Sequence, residues 1–125
     1  MSGLAFMIVD DSPIMIQKLT LMLRELGHTV TGVCEDGQTA VKQYPHIKPQ
    51  IVTMDITMPG MDGVDTVTAI TAADPEARII MVTSHGQEAM VARSLDAGAL
   101  GYVLKPVSKE RLAAMTERAM AFRFR

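Results

Sequence analysis

Apolar and β-branched residues gather in five short runs along the chain: Ala5 to Val9, Thr29 to Cys34, Ile51 to Met54, Ile79 to Val82 and Tyr102 to Leu104. Runs of strand length that are apolar at nearly every position read as strands covered on both faces. Between them the period changes. Met15, Leu19, Met22 and Leu26 lay one apolar stripe along a helix predicted from about Pro13 to Leu26. Ser12 can accept a bond from a free amide at its start, Pro13 suits a first helical turn, and Gly27 stops it. Further helices are expected at about Gln38 to Tyr44, Val64 to Ala73, Gln87 to Ala97 and Lys109 to Phe122. Gly37, Asp62, Gly86 and Ser108 stand at their starts, and Gly98 follows the fourth helix. Strand and helix alternate throughout. This order predicts an α/β protein with an open five-stranded parallel sheet and helices on both faces.

Composition narrows this little. With 125 residues, 48% of them hydrophobic, the chain suffices for one core, so residues 1–125 are expected to form a single domain. The formal net charge of -2 gives no field that would favour nucleic acid. Arg118, Arg123 and Arg125 are expected to be ordinary charges at a helix end. No apolar stretch approaches the ~18 residues of a membrane span, and no basic leader precedes one. Cys34 is the single cysteine, which excludes an internal disulfide and a thiolate metal cage and fits a reducing cytoplasm. It is expected to behave as a small buried hydrophobe, and most of the eleven methionines as core filler.

The polar residues carry more. In sheets of this kind ligands gather beyond the carboxyl ends of the strands. The first predicted strand runs into Asp10 and Asp11, the third into Asp55, the fourth into Thr83 and the fifth into Lys105. Each has an ordinary use alone, as a cap, a strand residue or a solvated charge. Together they place three carboxylates, a hydroxyl and an ammonium at one rim. Close carboxylates need a compensating cation, and oxygen ligands at a shallow rim suit Mg²⁺. Lys105 and Thr83 add a charged and a neutral donor for the oxygens of a phosphoryl group, and Asp55 can act as the nucleophile. Pro59, Gly60 and Gly63 shape the loop after Asp55, where Asp62 is expected to cap the next helix.

The segments VDDS, TMDITMPGMDG, VTS and GYVLKP, in this order and at these intervals, closely resemble the receiver domains of two-component response regulators, single-domain chemotaxis regulators in particular. The resemblance covers essentially the whole chain. It implies a flavodoxin-like fold with strand order 2-1-3-4-5 and one receiver domain. It also implies that Asp55 is the phosphoacceptor for a sensor histidine kinase, with Asp11 and Asp55 ligating Mg²⁺ directly, Asp10 mainly through water, and the carbonyl of Thr57 as a backbone ligand. Thr83 and Lys105 correspond to the switch hydroxyl and the phosphate-binding lysine. The Lys105-Pro106 bond is expected to be cis, and Tyr102 to turn inward with Thr83. Thr57 and His85 fall where the family tunes hydrolysis of the acyl phosphate.

Other classes fit less well. A haloacid-dehalogenase-type phosphatase needs a second acid two positions after its nucleophile, where this chain has Thr57. A flavodoxin-like carrier would meet repulsion between the FMN phosphate and Asp10 and Asp11. A receiver-shaped module that is never phosphorylated would not need the full reactive set. The fifth predicted helix ends near the C-terminus, so output is expected through protein association, with the flagellar motor switch as target. A phosphorelay intermediate or phosphate sink is the alternative, and a separate phosphatase is a possible partner. Phe122 and Phe124 hint at a continuing helix or a contact.

Overall fold

The computed structural model describes residues 3–124. The elements alternate as β1 (Ala5–Val9), α1 (Pro13–Glu25), β2 (Thr29–Cys34), α2 (Gly37–Ile47), β3 (Ile51–Asp55), α3 (Gly63–Ala73), β4 (Ile79–Thr83), α4 (Glu88–Asp96), β5 (Gly101–Leu104) and α5 (Lys109–Ala121). All neighbouring strands pair in parallel, in the order β2-β1-β3-β4-β5. The expected fold class is therefore the observed one.

Strand pleating sends successive side chains to opposite faces, which divides the apolar residues between two layers. Met7, Val9, Val52, Met54, Ile79 and Met81 face Ala40, Val67, Ile70 and Val91 of α2, α3 and α4. Phe6, Ile8, Ile51, Ile80, Val82 and Val103 face Leu19, Leu23, Leu112 and Met115 of α1 and α5. Each fully buried side chain of this size contributes about 1.5–3 kcal/mol, so the sheet is a stiff platform for whatever its rim carries. Met7, Met54, Met58, Met81 and Met115 are buried, and Cys34 is a free, buried apolar residue.

Helix starts follow local chemistry. Ser12, Asp62 and Ser108 accept bonds from the amides of Met15, Asp65 and Arg111, satisfying donors that a helix leaves free. Two expected starts move. At α2 the cap is Asp36, whose carboxylate accepts from Thr39 N at 2.7 Å, and Gly37 is already helical. At α4 Gln87 stands at the cap position without a side-chain capping bond.

Helix α2 also outruns its predicted end at Tyr44, continuing through Pro45 to Ile47. A proline removes one helical hydrogen bond. Only the last turn is affected, and Ile47 packs against the core while Lys48 closes the helix in a left-handed conformation. Strands β3 and β4 each run one residue further than predicted. Asp55 pairs with Val82, and Thr83 with Leu104, as the last ladder residues. Among the described residues no helix is long and apolar enough to cross a membrane.

At the other end of the chain, Arg118 lies in the last turn of α5, as expected of a helix-end charge. Phe122 ends the helix and packs edge-on against Phe124 at 4.9 Å, with the Arg78 guanidinium 4.9 Å from the Phe124 ring. The two phenylalanines make a contact and do not prolong the helix. Arg125 lies outside the described residues.

Candidate functional site

The chain leaves β1 toward β2 on one side and returns to β3 on the other, so the strand order reverses between β1 and β3. Crevices of open parallel sheets form at such reversals, a rule for which receiver domains are themselves an example. Asp10 and Asp11 follow β1 here, and Asp55 ends β3. Their ligand oxygens all lie within 4.8 Å of one another, with Asp10 and Asp55 buried and Asp11 exposed.

Asp10 is fixed at the sheet edge, and Asp55 ends β3. Asp10 N donates to Cys34 O at 3.0 Å, and Asp10 Oδ1 accepts from Ser12 N at 2.8 Å. Asp10 Oδ2 is buried without a hydrogen-bond partner among the described residues. Asp55 is only 6% exposed and meets Lys105 Nζ at 3.3 Å. Burial pushes the Asp55 carboxyl above its ordinary value, the Asp10 charge adds to this, and Lys105 opposes it. Burial also raises Asp10, against the Ser12 amide and Lys105, which lower it. One ammonium thus offsets three acids.

Those observations meet the requirements of a hard divalent cation: all-oxygen donors, excess negative charge and a buried carboxylate oxygen with no protein partner. Asp10, Asp11 and Asp55 fit Mg²⁺ on these grounds. The loop after Asp55 is closed by Gly63 N donating to Ile56 O at 2.7 Å. A Cβ at Gly63 would collide with the Asp55 carbonyl oxygen and lie 2.8 Å from Ile56 Cα. Glycine is therefore required where α3 starts against the end of β3.

The remaining predicted residues fall around this crevice. Thr83 is 1% exposed at the end of β4. Its hydroxyl donates to Gln87 Oε1 at 2.7 Å. Lys105 follows β5, its amide donates to Thr83 O at 2.7 Å, and the Lys105-Pro106 bond is cis. Thr57 is exposed, and its hydroxyl accepts from Gln87 Nε2 at 2.7 Å. Tyr102 is 46% exposed on β5 and turned outward. It lines a cavity of about 290 Å³ together with Thr83, His85, Val91 and Leu104. His85 is exposed.

Sequence reasoning missed Gln87. The available signal was a long polar side chain four residues beyond Thr83, where the chain turns from β4 into α4. That position also suits the start of a helix, which conceals its second use.

As a class, this is a doubly wound α/β domain with an acidic, lysine-edged crevice at its topological switch point. Residues 6–117 match the family described as response regulator receiver domain, and the chain belongs to that family. It is 41% identical over 110 residues to the chemotaxis protein CheY of Thermotoga maritima, covering 88% of this chain and 92% of that protein. It is 39% identical over 119 residues to the transcriptional regulatory protein PdtaR of Mycobacterium tuberculosis, covering 95% of this chain and 57% of that one. Among solved structures, the CheX-CheY-BeF3-Mg²⁺ complex from Borrelia burgdorferi matches with a TM-score of 0.90 at 31% identity, over 97% of this chain and 92% of that chain.

Proposed function

We infer that Asp55 accepts a phosphoryl group from a phosphohistidine of a sensor histidine kinase, and that the phosphorylated domain signals by binding another protein. The observation that carries this reading is the setting of Asp55: fixed at the end of a central buried strand, 3.3 Å from Lys105 Nζ and grouped with Asp10 and Asp11.

An Asp55 carboxylate oxygen attacks phosphorus. The new O–P bond forms as the P–N bond to the donor breaks, and the electron pair leaves on the imidazole nitrogen, which takes up a proton. Lys105 shifts its donation from Asp55 toward a phosphoryl oxygen, and the Thr83 hydroxyl supplies a second donor. Asp10, Asp11, Asp55 and the Thr57 carbonyl are the groups that would hold Mg²⁺. When bound, that ion supplies the positive charge that lets carboxylates and phosphoryl oxygens share one crevice. Thr57 and His85 border the same rim, and we expect them to tune slow hydrolysis of the acyl phosphate. Phosphorylation of Asp55 would turn Tyr102 from its exposed position toward the cavity beside it and so change the β5 face.

Output to the flagellar motor switch in chemotaxis is the reading we favour, supported by relatives named chemotaxis protein CheY in several bacteria. A separate phosphatase as partner would suit this role. The likeness to PdtaR supports a second reading, a receiver serving another regulatory pathway as relay or phosphate sink. A free, buried Cys34 suits a reducing cytoplasm in either case.

The test is incubation with acetyl phosphate and Mg²⁺, read by intact mass. The expected result is one added phosphoryl group, about 80 Da, lost in Asp55→Asn and in chelator. Addition that survives Asp55→Asn would overturn the assignment.

A further inference from the structure

Gln87 stands at the N-terminal boundary of α4, yet its side chain does nothing for the helix. Its amide spans the crevice instead. Oε1 accepts from the Thr83 hydroxyl at 2.7 Å and from Ser84 N at 2.9 Å, while Nε2 donates to Thr57 Oγ1 at 2.7 Å. The amide orientation is fixed by Ser84, whose N–H can only donate and must face an oxygen. One side chain thereby joins the residue two positions beyond Asp55 to the hydroxyl that ends β4.

A hydroxyl carries a single proton, so it donates to one acceptor at a time. Thr83 is 1% exposed, and of its two acceptors Gln87 Oε1 at 2.7 Å is much nearer than Ser84 O at 3.4 Å, so the proton goes to Gln87. Resting on the receiver reading above, we propose that Gln87 is a positioning residue that clamps the Thr83 hydroxyl in the unphosphorylated protein and competes with the phosphoryl group on Asp55 for its proton. When Thr83 turns to a phosphoryl oxygen, Gln87 keeps Ser84 and Thr57 and loses only the Thr83 bond. That bond exists in one state alone, so it biases the equilibrium toward rest. A neutral hydrogen bond of ordinary strength corresponds to roughly a 2- to 10-fold effect on an equilibrium constant.

The experiment titrates beryllium fluoride, a phosphoryl mimic, into the protein with saturating Mg²⁺ and measures apparent affinity. Gln87→Ala, and Gln87→Met, which keeps the length but removes the amide, are each compared with wild type, alone and combined with Thr83→Ala. Both Gln87 variants are expected to bind about 2- to 10-fold more tightly than wild type, and to match Thr83→Ala when combined with it. Either variant suffices if the other fails to fold. Unchanged or weaker binding, or tightening that persists without the Thr83 hydroxyl, overturns the clamp. A merely structural brace would lower thermal stability without this Thr83-dependent gain in affinity. The two readings fail separately: if wild type takes up neither beryllium fluoride nor a phosphoryl group from acetyl phosphate, the receiver chemistry falls and the clamp with it. If wild type takes up both and the Gln87 variants do not differ from it, only the clamp falls.

Discussion

Replacing Asp10 by asparagine should make the metal-free protein more stable. Asp10 is 1% exposed, its Oδ1 holds the Ser12 amide, and its Oδ2 has no partner among the described residues. Asparagine keeps the acceptor for Ser12 and replaces the unpaired oxygen by an NH₂ donor beside the acid group. Two like charges at the outer limit of this group, 4.8 Å, repel by about 3.5 kcal/mol at an effective dielectric near 20. The pair with exposed Asp11 is largely screened by water, and Lys105 offsets part of the pair with Asp55. Allowing Lys105 to offset somewhat under half of the repulsion leaves a net gain of ~2 kcal/mol. With roughly 2.1 cal/mol/K of unfolding entropy per residue, this raises the melting temperature of a 125-residue chain by about 8 °C.

Thermal melts in chelator and in Mg²⁺ check it. Wild type should gain about 2.7 kcal/mol at a hundredfold excess of Mg²⁺ over Kd, and Asp10→Asn much less, so that the gap closes or reverses. The pH dependence has a defined sign. Asp10 and Asp55 are raised in the folded state, which therefore binds protons more readily than the unfolded chain. Without metal, the penalty they impose at neutral pH shrinks as pH falls toward that raised range. An Asp10→Asn protein that melts at or below wild type in chelator would refute the reasoning.

Two further outcomes test the scaffold. Gly63→Ala should cost about 2–4 kcal/mol in urea denaturation and slow phosphorylation by acetyl phosphate, because the new Cβ collides with the Asp55 carbonyl; wild-type behaviour in both assays would contradict that packing. His28 Nδ1 accepts from Leu4 N at 3.0 Å beside the Phe6 ring, and burial holds the imidazole below its ordinary 6.5. Its contribution is complete above that value and is lost as pH falls through the depressed folded value. Wild type should therefore lose more stability between pH 7.5 and 5.5 than His28→Asn, whose side-chain oxygen keeps the acceptor, and parallel curves for the two proteins would exclude this role.

Much of the fold lay in local pattern. Five apolar runs and the stripe of Met15, Leu19, Met22 and Leu26 gave strand and helix without any tertiary information, because burial on both faces and on one face leave different periods. Ser12, Asp62 and Ser108 worked as caps because a cap is a contact of three residues' reach. Where distant packing decides, local pattern is not enough. Pro45 marked an end for α2 that the burial of Ile47 overrode. Strand ends moved outward because pairing with Val82 and Leu104 extends the ladder to Asp55 and Thr83.

The candidate site divides along the same line. Asp10, Asp11, Asp55, Thr83 and Lys105 were legible in the sequence because parallel strands separated by helices all deliver their last residues to one edge, whatever their order. Sequence alone did not decide which oxygens would come within 4.8 Å, that Asp10 Oδ2 would be left bare, or that Gln87 would reach both Thr57 and Thr83. Most of those distances, such as Asp10 to Asp55 and Thr57 to Gln87, join segments tens of residues apart. They are set when two apolar layers close on the sheet and fix its register, a condition that no single stretch of the chain contains.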